Sequence, residues 1–318
     1  AFEIYEKAEI SVRSEFLNKI LAGRNAVILQ DSELSGGKGT YVVRDMGTLR
    51  YALNSIESIG ASGTIVVSEK IEGAHERTVQ CVVTRHGIFV GPLQKQVIAD
   101  PLLANLDVAD GDKFCGAEIS HTDEFAGAYS EIKGYAETIG KELQKLGYKG
   151  IFGVDCLVTK TGNVYVLEVN PRITGVTPLL TMLYREDKDI PFYLLHVLEL
   201  MDVDYQITDT SVDANGPEGS LLMLHSHTNK TAHIVESPKS GIYAKDLTYV
   251  EPEIRFNCSG DTQVLVQQYT PASLKVKPGG RVLSVFVNRS VLDTADSLST
   301  ETKKLVSGLL DMVKLEQL

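Results

Sequence analysis

The stretch from Ile151 to Arg172 constrains the fold more than any other. β-Branched and apolar residues dominate Ile151–Thr159 and Val164–Val169, and Lys160-Thr161-Gly162 stands between them as a turn. The pattern predicts an antiparallel hairpin with strands over 151–159 and 163–169. Side chains alternate along a strand, so Glu168 and Asn170 share a face with Val164 and Val166. A hairpin pivoting on Thr161–Gly162 sets Asp155 opposite Glu168. Opposed Cβ atoms lie about 4.5–5.5 Å apart. Two carboxylates so placed are hard to keep ionised without a cation. Oxygen ligands from Asp155, Glu168 and Asn170 suit Mg²⁺, which usually shares its site with phosphates. Pro171 ends the second strand, and Arg172 adds a fixed positive charge. The plain alternative is an edge hairpin whose carboxylates face water, and a one-residue slip would break the pairing.

The rest of the chain alternates short strands with helices. Strand-like runs fall at 10–13, 26–30, 40–44, 64–71, 78–84, 87–90, 220–225, 232–236, 263–269 and 281–287. Helical periodicity covers 14–22, 46–59, 124–146, 192–201 and 300–316, while 91–120 and 172–190 read as irregular. This pattern predicts an α+β class, antiparallel hairpins covered by helices. The polar, Gly- and Pro-containing segment 204–219 is the best internal boundary.

Two further features carry chemistry. Ser35-Gly-Gly-Lys-Gly-Thr40 lies between two strands, where glycines let backbone N–H groups approach phosphate oxygens and Lys38 adds charge. It is not a Walker loop, because Ser32 and Gly39 occupy positions that would need Gly and Ser or Thr. An ordinary hairpin tip is the competing reading. The strand ending in Glu69-Lys70-Ile71, followed by His75-Glu76, offers backbone groups and a carboxylate at one edge.

Taken in order, these features resemble the ATP-grasp superfamily. The string Leu167-Glu-Val-Asn-Pro-Arg172 is the most specific part and is closest to the branch holding biotin carboxylase, the carbamoyl-phosphate synthetase large subunit and several amino-acid ligases. The resemblance covers about residues 10–200. It implies an ATP-grasp fold: two α+β lobes (about 1–68 and 69–205) with antiparallel sheets clamping ATP, followed by a smaller C-terminal α+β domain over 206–318.

The resemblance also implies roles. Gln30, Gly36, Gly37, Lys38 and Gly39 would lie along the phosphates, Glu69, Lys70 and Ile71 at adenine, and Glu76 at the ribose. Asp155, Glu168 and Asn170 would hold Mg²⁺, with Mn²⁺ as the alternative metal. Lys95 is a further phosphate candidate, Gln94 would face the second substrate, and Lys38 and Arg172 would act in catalysis. The implied reaction joins a small-molecule carboxylate to an amine through an acyl phosphate, with amino acids or peptides as the expected substrates. A biotin-carboxylase-like enzyme activating bicarbonate and a non-catalytic nucleotide-binding regulatory protein are the alternatives. Three departures matter. Gln30 stands where relatives carry Lys or Arg. Gly153 stands where D-Ala–D-Ala ligase-like members carry Arg, so Arg172 is expected to supply that charge. A preceding domain of the same protein, about 100 residues long in the family, is not in this sequence, which starts at Ala1.

Composition narrows the partners. With 42 acidic against 31 basic residues the net charge is −11, which argues against nucleic acid as the main partner. No apolar run approaches the ~20 residues needed to span a bilayer, so no membrane partner is expected. No signal-peptide pattern opens the chain. Four cysteines spaced far apart read as free thiols of a reducing cytoplasm. The resemblance leaves a homodimer open as the assembly. His225-x-His227 reads as a pair of solvated strand histidines, since no third metal ligand stands nearby.

Overall fold

The structure, a computed structural model, describes residues 2–6, 14–32, 39–58, 64–108, 113–184, 192–207, 217–253, 262–293 and 296–318. The chain forms two compact units, Ala1–Gly73 and Ala74–Leu318.

The first unit is a four-stranded antiparallel sheet with two helices. Its strands are β1 (Phe2–Glu6), β2 (Val27–Asp31), β3 (Thr40–Val43) and β4 (Thr64–Glu69), in the order β1-β4-β2-β3. Helix α1 (Ser14–Leu21) buries Phe16, Leu17 and Ile20, and α2 (Met46–Ser58) buries Leu49, Ala52 and Ile56. Both pack on Val27, Leu29, Val43, Ile65 and Val67. Alternation along β2 therefore sends Val27 and Leu29 into the core and Ile28 and Gln30 to the other face. The expected hairpin around the Gly-rich segment is present: β2 pairs with β3, and the Asp31 N–H donates to the Gly39 carbonyl at 3.1 Å. The strand expected at 10–13 lies outside the described residues.

The second unit is built on three sheets. One has the order β10-β9-β5-β6, from β5 (Ala74–Thr84), β6 (Gly87–Val90), β9 (Gly150–Thr159) and β10 (Val164–Asn170). A second has seven strands, β14-β13-β15-β17-β11-β8-β7. These are β7 (Lys95–Ile98), β8 (Phe114–Ile119), β11 (Gly219–His225), β13 (Gly241–Ala244), β14 (Tyr249–Glu251), β15 (Gln263–Gln268) and β17 (Arg281–Val287). The third joins β12 (Ala232–Glu236) to β16 (Lys275–Val276) and β18 (Lys314–Gln317).

Faces of β5 and β9 divide cleanly. Val79, Cys81 and Val83 with Phe152, Val154 and Cys156 pack against helix α3 (Tyr129–Lys145), through its Ile132 and Ala136. Each fully buried aliphatic side chain there contributes about 1.5–3 kcal/mol. On the other face, Val82 and Ile151 join a cluster with α4 (Thr177–Leu183), α5 (Phe192–Leu200) and Leu221, Met223, Leu265 and Phe286 of the seven-stranded sheet. Thr78, Gln80 and Asp155 share that second face. The last helix, α6 (Thr300–Asp311), is capped by Ser299, whose hydroxyl accepts from the Thr302 N–H.

The α+β class stands, with several local corrections. Segment 91–120 is not wholly irregular: it holds β7 and β8. Phe114-Cys-Gly-Ala-Glu-Ile119 contains Gly and Glu, which strands disfavour, and its partner β11 lies a hundred residues on. Helix α4 falls within the expected irregular 172–190, a short helix with Pro in its first turn. The C-terminal helix ends at Asp311, because the chain beyond turns to pair with β12. His225 is buried, not solvated, and its Nδ1 lies 2.9 Å from the Leu103 carbonyl. The boundary near 205 marks no break in the seven-stranded sheet, which joins strands on both sides of it; the compact units divide at Gly73/Ala74 instead.

Gly116 tests this sheet. It sits in β8 at φ +139°, and a Cβ there would lie 2.0 Å from the Leu221 carbonyl oxygen. Backbone cannot yield as a side chain does, so Gly116→Ala should cost more than about 3 kcal/mol. A thermal melt within a few degrees of wild type would show that the sheet is not closed at this point.

Candidate functional site

The β9–β10 hairpin carries the acidic pair. Asp155 is opposite Glu168, as the sequence predicts, but by a different route. Nearer the turn the register is one residue off the simple expectation, with Val166 opposite Cys156; a bulge between Val166 and Glu168 then brings Glu168 to Asp155. Thr78 of β5 is opposite Asp155 on the other side. A row of side chains therefore runs Thr78, Asp155, Glu168 across three strands. The next row runs Gln80, Gly153, Asn170.

Asp155 is the centre of this face. Gln96 Nε2 donates to its Oδ1 at 2.8 Å and Asn170 Nδ2 to its Oδ2 at 2.8 Å. Asn170 is oriented by Arg172, whose Nη2 donates to Asn170 Oδ1 at 3.0 Å. Burial raises the Asp155 carboxyl above the ordinary carboxylate value, against the opposing pull of the Thr78, Gln96 and Asn170 hydrogen bonds and the Arg172 charge. Glu76 is raised as well, first by desolvation and then by the Asp155 charge. Glu168 and Arg172 are exposed.

Gln80 fixes the turn that follows β10. Its Nε2 donates to Thr174 Oγ1 and Thr177 Oγ1, both at 2.7 Å, tying β5 to the start of α4. Gly153 allows the close approach, since a Cβ there would sit 3.1 Å from Thr174 Cγ2.

Other expected residues are placed as follows. In the first unit, Gln30 is opposite Thr40 and Val66 on the helix-free face. Glu69 ends β4, exposed. The Lys70 N–H donates to the Ala26 carbonyl at 3.1 Å and its Nζ pairs with Glu72, while Ile71 is half-buried. Gly39 adopts φ +68° at the loop stem; Gly36, Gly37 and Lys38 lie outside the described residues. In the second unit, Gln94 is buried, with Nε2 donating to the Pro92 carbonyl at 3.2 Å. Lys95 does not join Asp155. Its Nζ is 3.4 Å from Glu118 Oε1 and 3.4 Å from Asp296 Oδ1, and its neighbour Gln96 reaches Asp155 instead.

Sequence reasoning missed Thr78, Gln80 and Gln96. Alternation in Gln94-Lys95-Gln96 was the available signal, because a strand there puts one of Lys95 and Gln96 on each face.

The donor set suits a hard cation. Asp155, Glu168 and Asn170 offer only oxygen ligands, and a half-buried carboxylate with a raised pKa is one that a cation would relieve. Among the described residues no group of three or more His, Cys, Asp and Glu side chains gathers as a metal site. The set is instead two carboxylates and an amide. No helix among the described residues is long and apolar enough to cross a membrane.

The chain is similar to several known proteins. The [butirosin acyl-carrier protein]–L-glutamate ligase of Niallia circulans is 26% identical over 207 residues, covering 62% of this chain and 45% of that protein. The carbamoyl phosphate synthase large chain of Methanosarcina acetivorans is 23% identical over 155 residues, 49% of this chain and 13% of that one. This chain thus spans less than half the length of these curated relatives. Among solved structures, biotin carboxylase from Campylobacter jejuni shares the fold with a TM-score of 0.62 at 15% identity, over 96% of this chain and 61% of that one. Residues 10–176, just over half of the chain, match the ATP-grasp domain family, and the chain belongs to it.

Proposed function

We propose that this chain carries the acyl-activating machinery of an ATP-dependent carboxylate–amine ligase. The observation that carries the reading is the hairpin set Asp155, Glu168 and Asn170 with Arg172 beside it. The similarity to an L-glutamate ligase supports amino acids or peptides as substrates.

In this reading Asp155, Glu168 and Asn170 hold Mg²⁺, which when bound neutralises charge on the nucleotide phosphates. Backbone groups of Glu69–Ile71 receive the adenine and Glu76 the ribose. Lys70 approaches the α-phosphate or the adenine ring. Lys38 and the N–H groups of Gly36, Gly37 and Gly39 cover the β- and γ-phosphates, with Gln30 supplying polarity but no charge. The substrate carboxylate oxygen attacks the γ-phosphorus, ADP leaves, and an acyl phosphate forms. Arg172 is the fixed charge beside that acyl phosphate. The amine then attacks the carbonyl carbon and phosphate departs. Phosphoryl transfer asks mainly for positioning and charge stabilisation, so no protein nucleophile is needed. Lys95 has no part here, its ammonium being held by Glu118 and Asp296.

Phosphate release from ATP with panels of amino acids, dipeptides, and bicarbonate plus biotin tests the reading. Release with amino acids or peptides is expected. Release only with bicarbonate and biotin would make it a carboxylase, and tight Mg·ATP binding without release on any panel would make it a nucleotide-binding protein. Glu168→Gln should cut turnover by about a hundredfold or more and leave the melt unchanged, since the side chain is exposed; retained turnover would reject the metal assignment. Lys38→Ala should lower kcat about tenfold with KM for ATP nearly constant, as for a charge that acts mainly in the transition state. Gln96→Ala should raise the half-saturating Mg²⁺ concentration roughly tenfold, because it frees one oxygen of Asp155. An unchanged Mg²⁺ titration would show that Gln96 does not hold Asp155 in place.

A further inference from the structure

A chain of buried charges runs behind the face that carries Asp155. Thr78 and Gln94 form a two-way backbone bridge, 3.0 and 2.9 Å, so their side chains share the Asp155 face. The same register extended by one residue would set Arg77 opposite Lys95 on the back, and by two would set Glu76 opposite Gln96 on the front. Two cations directly opposed across a strand pair repel. Both are shielded from water, Arg77 at 1% and Lys95 at 8% exposure.

Carboxylates hold them there. Arg77 makes a bidentate pair with Asp123, Nε to Oδ2 at 2.7 Å and Nη2 to Oδ1 at 2.9 Å, and its Nη1 donates to the Glu76 carbonyl at 2.7 Å. Lys95 is paired with Glu118, whose Oε2 accepts from Ser290 Oγ and from the N–H groups of Val291 and Leu292. Among the described residues Asp296 is the one that touches both cations: Oδ2 lies 3.3 Å from Arg77 Nη1 and Oδ1 lies 3.4 Å from Lys95 Nζ. His75 Nδ1 donates to the same Oδ2 at 2.9 Å, and must carry the proton because a carboxylate only accepts. Burial would raise the Asp296 carboxyl, but His75, Arg77 and Lys95 outweigh it and hold it below the ordinary value. Asp296 reaches this place with φ at +55°, a left-handed conformation that a non-glycine residue adopts at a cost.

We propose that Asp296 is a positioning residue for the reaction at Asp155. Its carboxylate bridges Arg77 and Lys95, and so sets the spacing of β5 and β7 at which Glu76, Thr78 and Gln96 meet Asp155. The proposal rests on the functional reading above. It gives Asp296, far along the chain from Asp155, a share in the reaction. Arg77 and Lys95 each keep a private carboxylate, Asp123 and Glu118, when Asp296 is removed, so the fold should survive the change.

Asp296→Ala, Asp296→Asn and Asp296→Glu in the protein test it, with four readouts. Asp296→Ala should lower kcat at least about tenfold, as small misplacements of reacting groups do, with KM for ATP little changed. Formate at tens of millimolar should restore part of the rate in the alanine variant and leave the wild type unaffected, by returning a carboxylate between the two cations. Asp296→Glu should retain more activity than Asp296→Asn. Hydrogen exchange should quicken at the amides of 74–80 and 94–98 in the alanine variant and not in β15 and β17. A kcat within twofold of wild type, or a loss that follows the melting curve and is not rescued by formate, overturns the positioning role. Should the wild type turn over no ATP on any panel, the functional reading fails by itself. Exchange then decides: unchanged rates at 74–80 and 94–98 overturn the bridge, and faster rates there uphold it.

Discussion

Ten consecutive residue pairs join β5 to β9, from Ala74–Thr159 to Val83–Gly150. Because side chains alternate, this one ladder sorts its residues into two populations with opposite demands. Val79, Cys81, Phe152, Val154 and Cys156 fill the space under α3. Their burial offsets the cost of taking Thr78, Gln80 and Asp155 out of water on the other side. A slip of one residue would put Asp155 in the aliphatic core and Cys156 at the site. The apolar face therefore enforces the register on which the polar face depends. The polar face then changes character along its length: beyond Gln80 it becomes Val82 and Ile151, which pack on α4, α5 and the seven-stranded sheet. The site occupies the end of a face that is otherwise core.

Legibility followed sequence distance. The β2–β3 and β9–β10 hairpins, α2 and α5 could be read locally, since turn chemistry and periodicity are local signals. The opposition of Asp155 and Glu168 was also legible, but the reasoning assumed an unbroken ladder, and two departures from it cancelled: the tip register is off by one, and the bulge before Glu168 restores it. Gln96 and Thr78 were not legible as a pair with Asp155. Strand β7 has four residues, two of them polar at the start, and it gains its regularity from β8 and from one bridge to β5. Where no strand is recognised, no face can be assigned, and Lys95 was placed by its charge alone. The masking of β8 by Gly116 and Glu118 has the same origin, because both are there for contacts with β11 and with residues 290–292 that only the folded chain supplies.

Buried ion pairs are weak evidence for stability, since desolvation can exceed the Coulombic gain. The cluster behind β5 is better understood through direction. Arg77, Lys95, Asp123, Glu118 and Asp296 come from five separate segments, and each pair admits few geometries, most of all the bidentate Arg77–Asp123 pair. Apolar residues of equal volume would fill the space but would leave the offset of β5 against β7 loosely set. Sheet continuity acts in the same sense: β11 pairs with β8, β8 with β7, and so strands after residue 219 are held to the strand that carries Gln96.

Gly153 and Arg172 are two sides of one arrangement. The family resemblance sets an arginine of D-Ala–D-Ala ligase-like members against Gly153. Here that position faces Gln80 and Asn170, and even a methyl group would press on Thr174. Any side chain there would require Thr174 to give by a few tenths of an ångström. The turn lies so close because Gln80 binds Thr174 and Thr177, and the same turn brings Arg172 back onto Asn170 Oδ1. Glycine at 153 suits the close approach of the turn that follows β10, and that turn carries Arg172, whose Nη2 donates to Asn170 Oδ1. An arginine introduced at 153 would therefore press first on Thr174, in the segment that already carries the charge of Arg172.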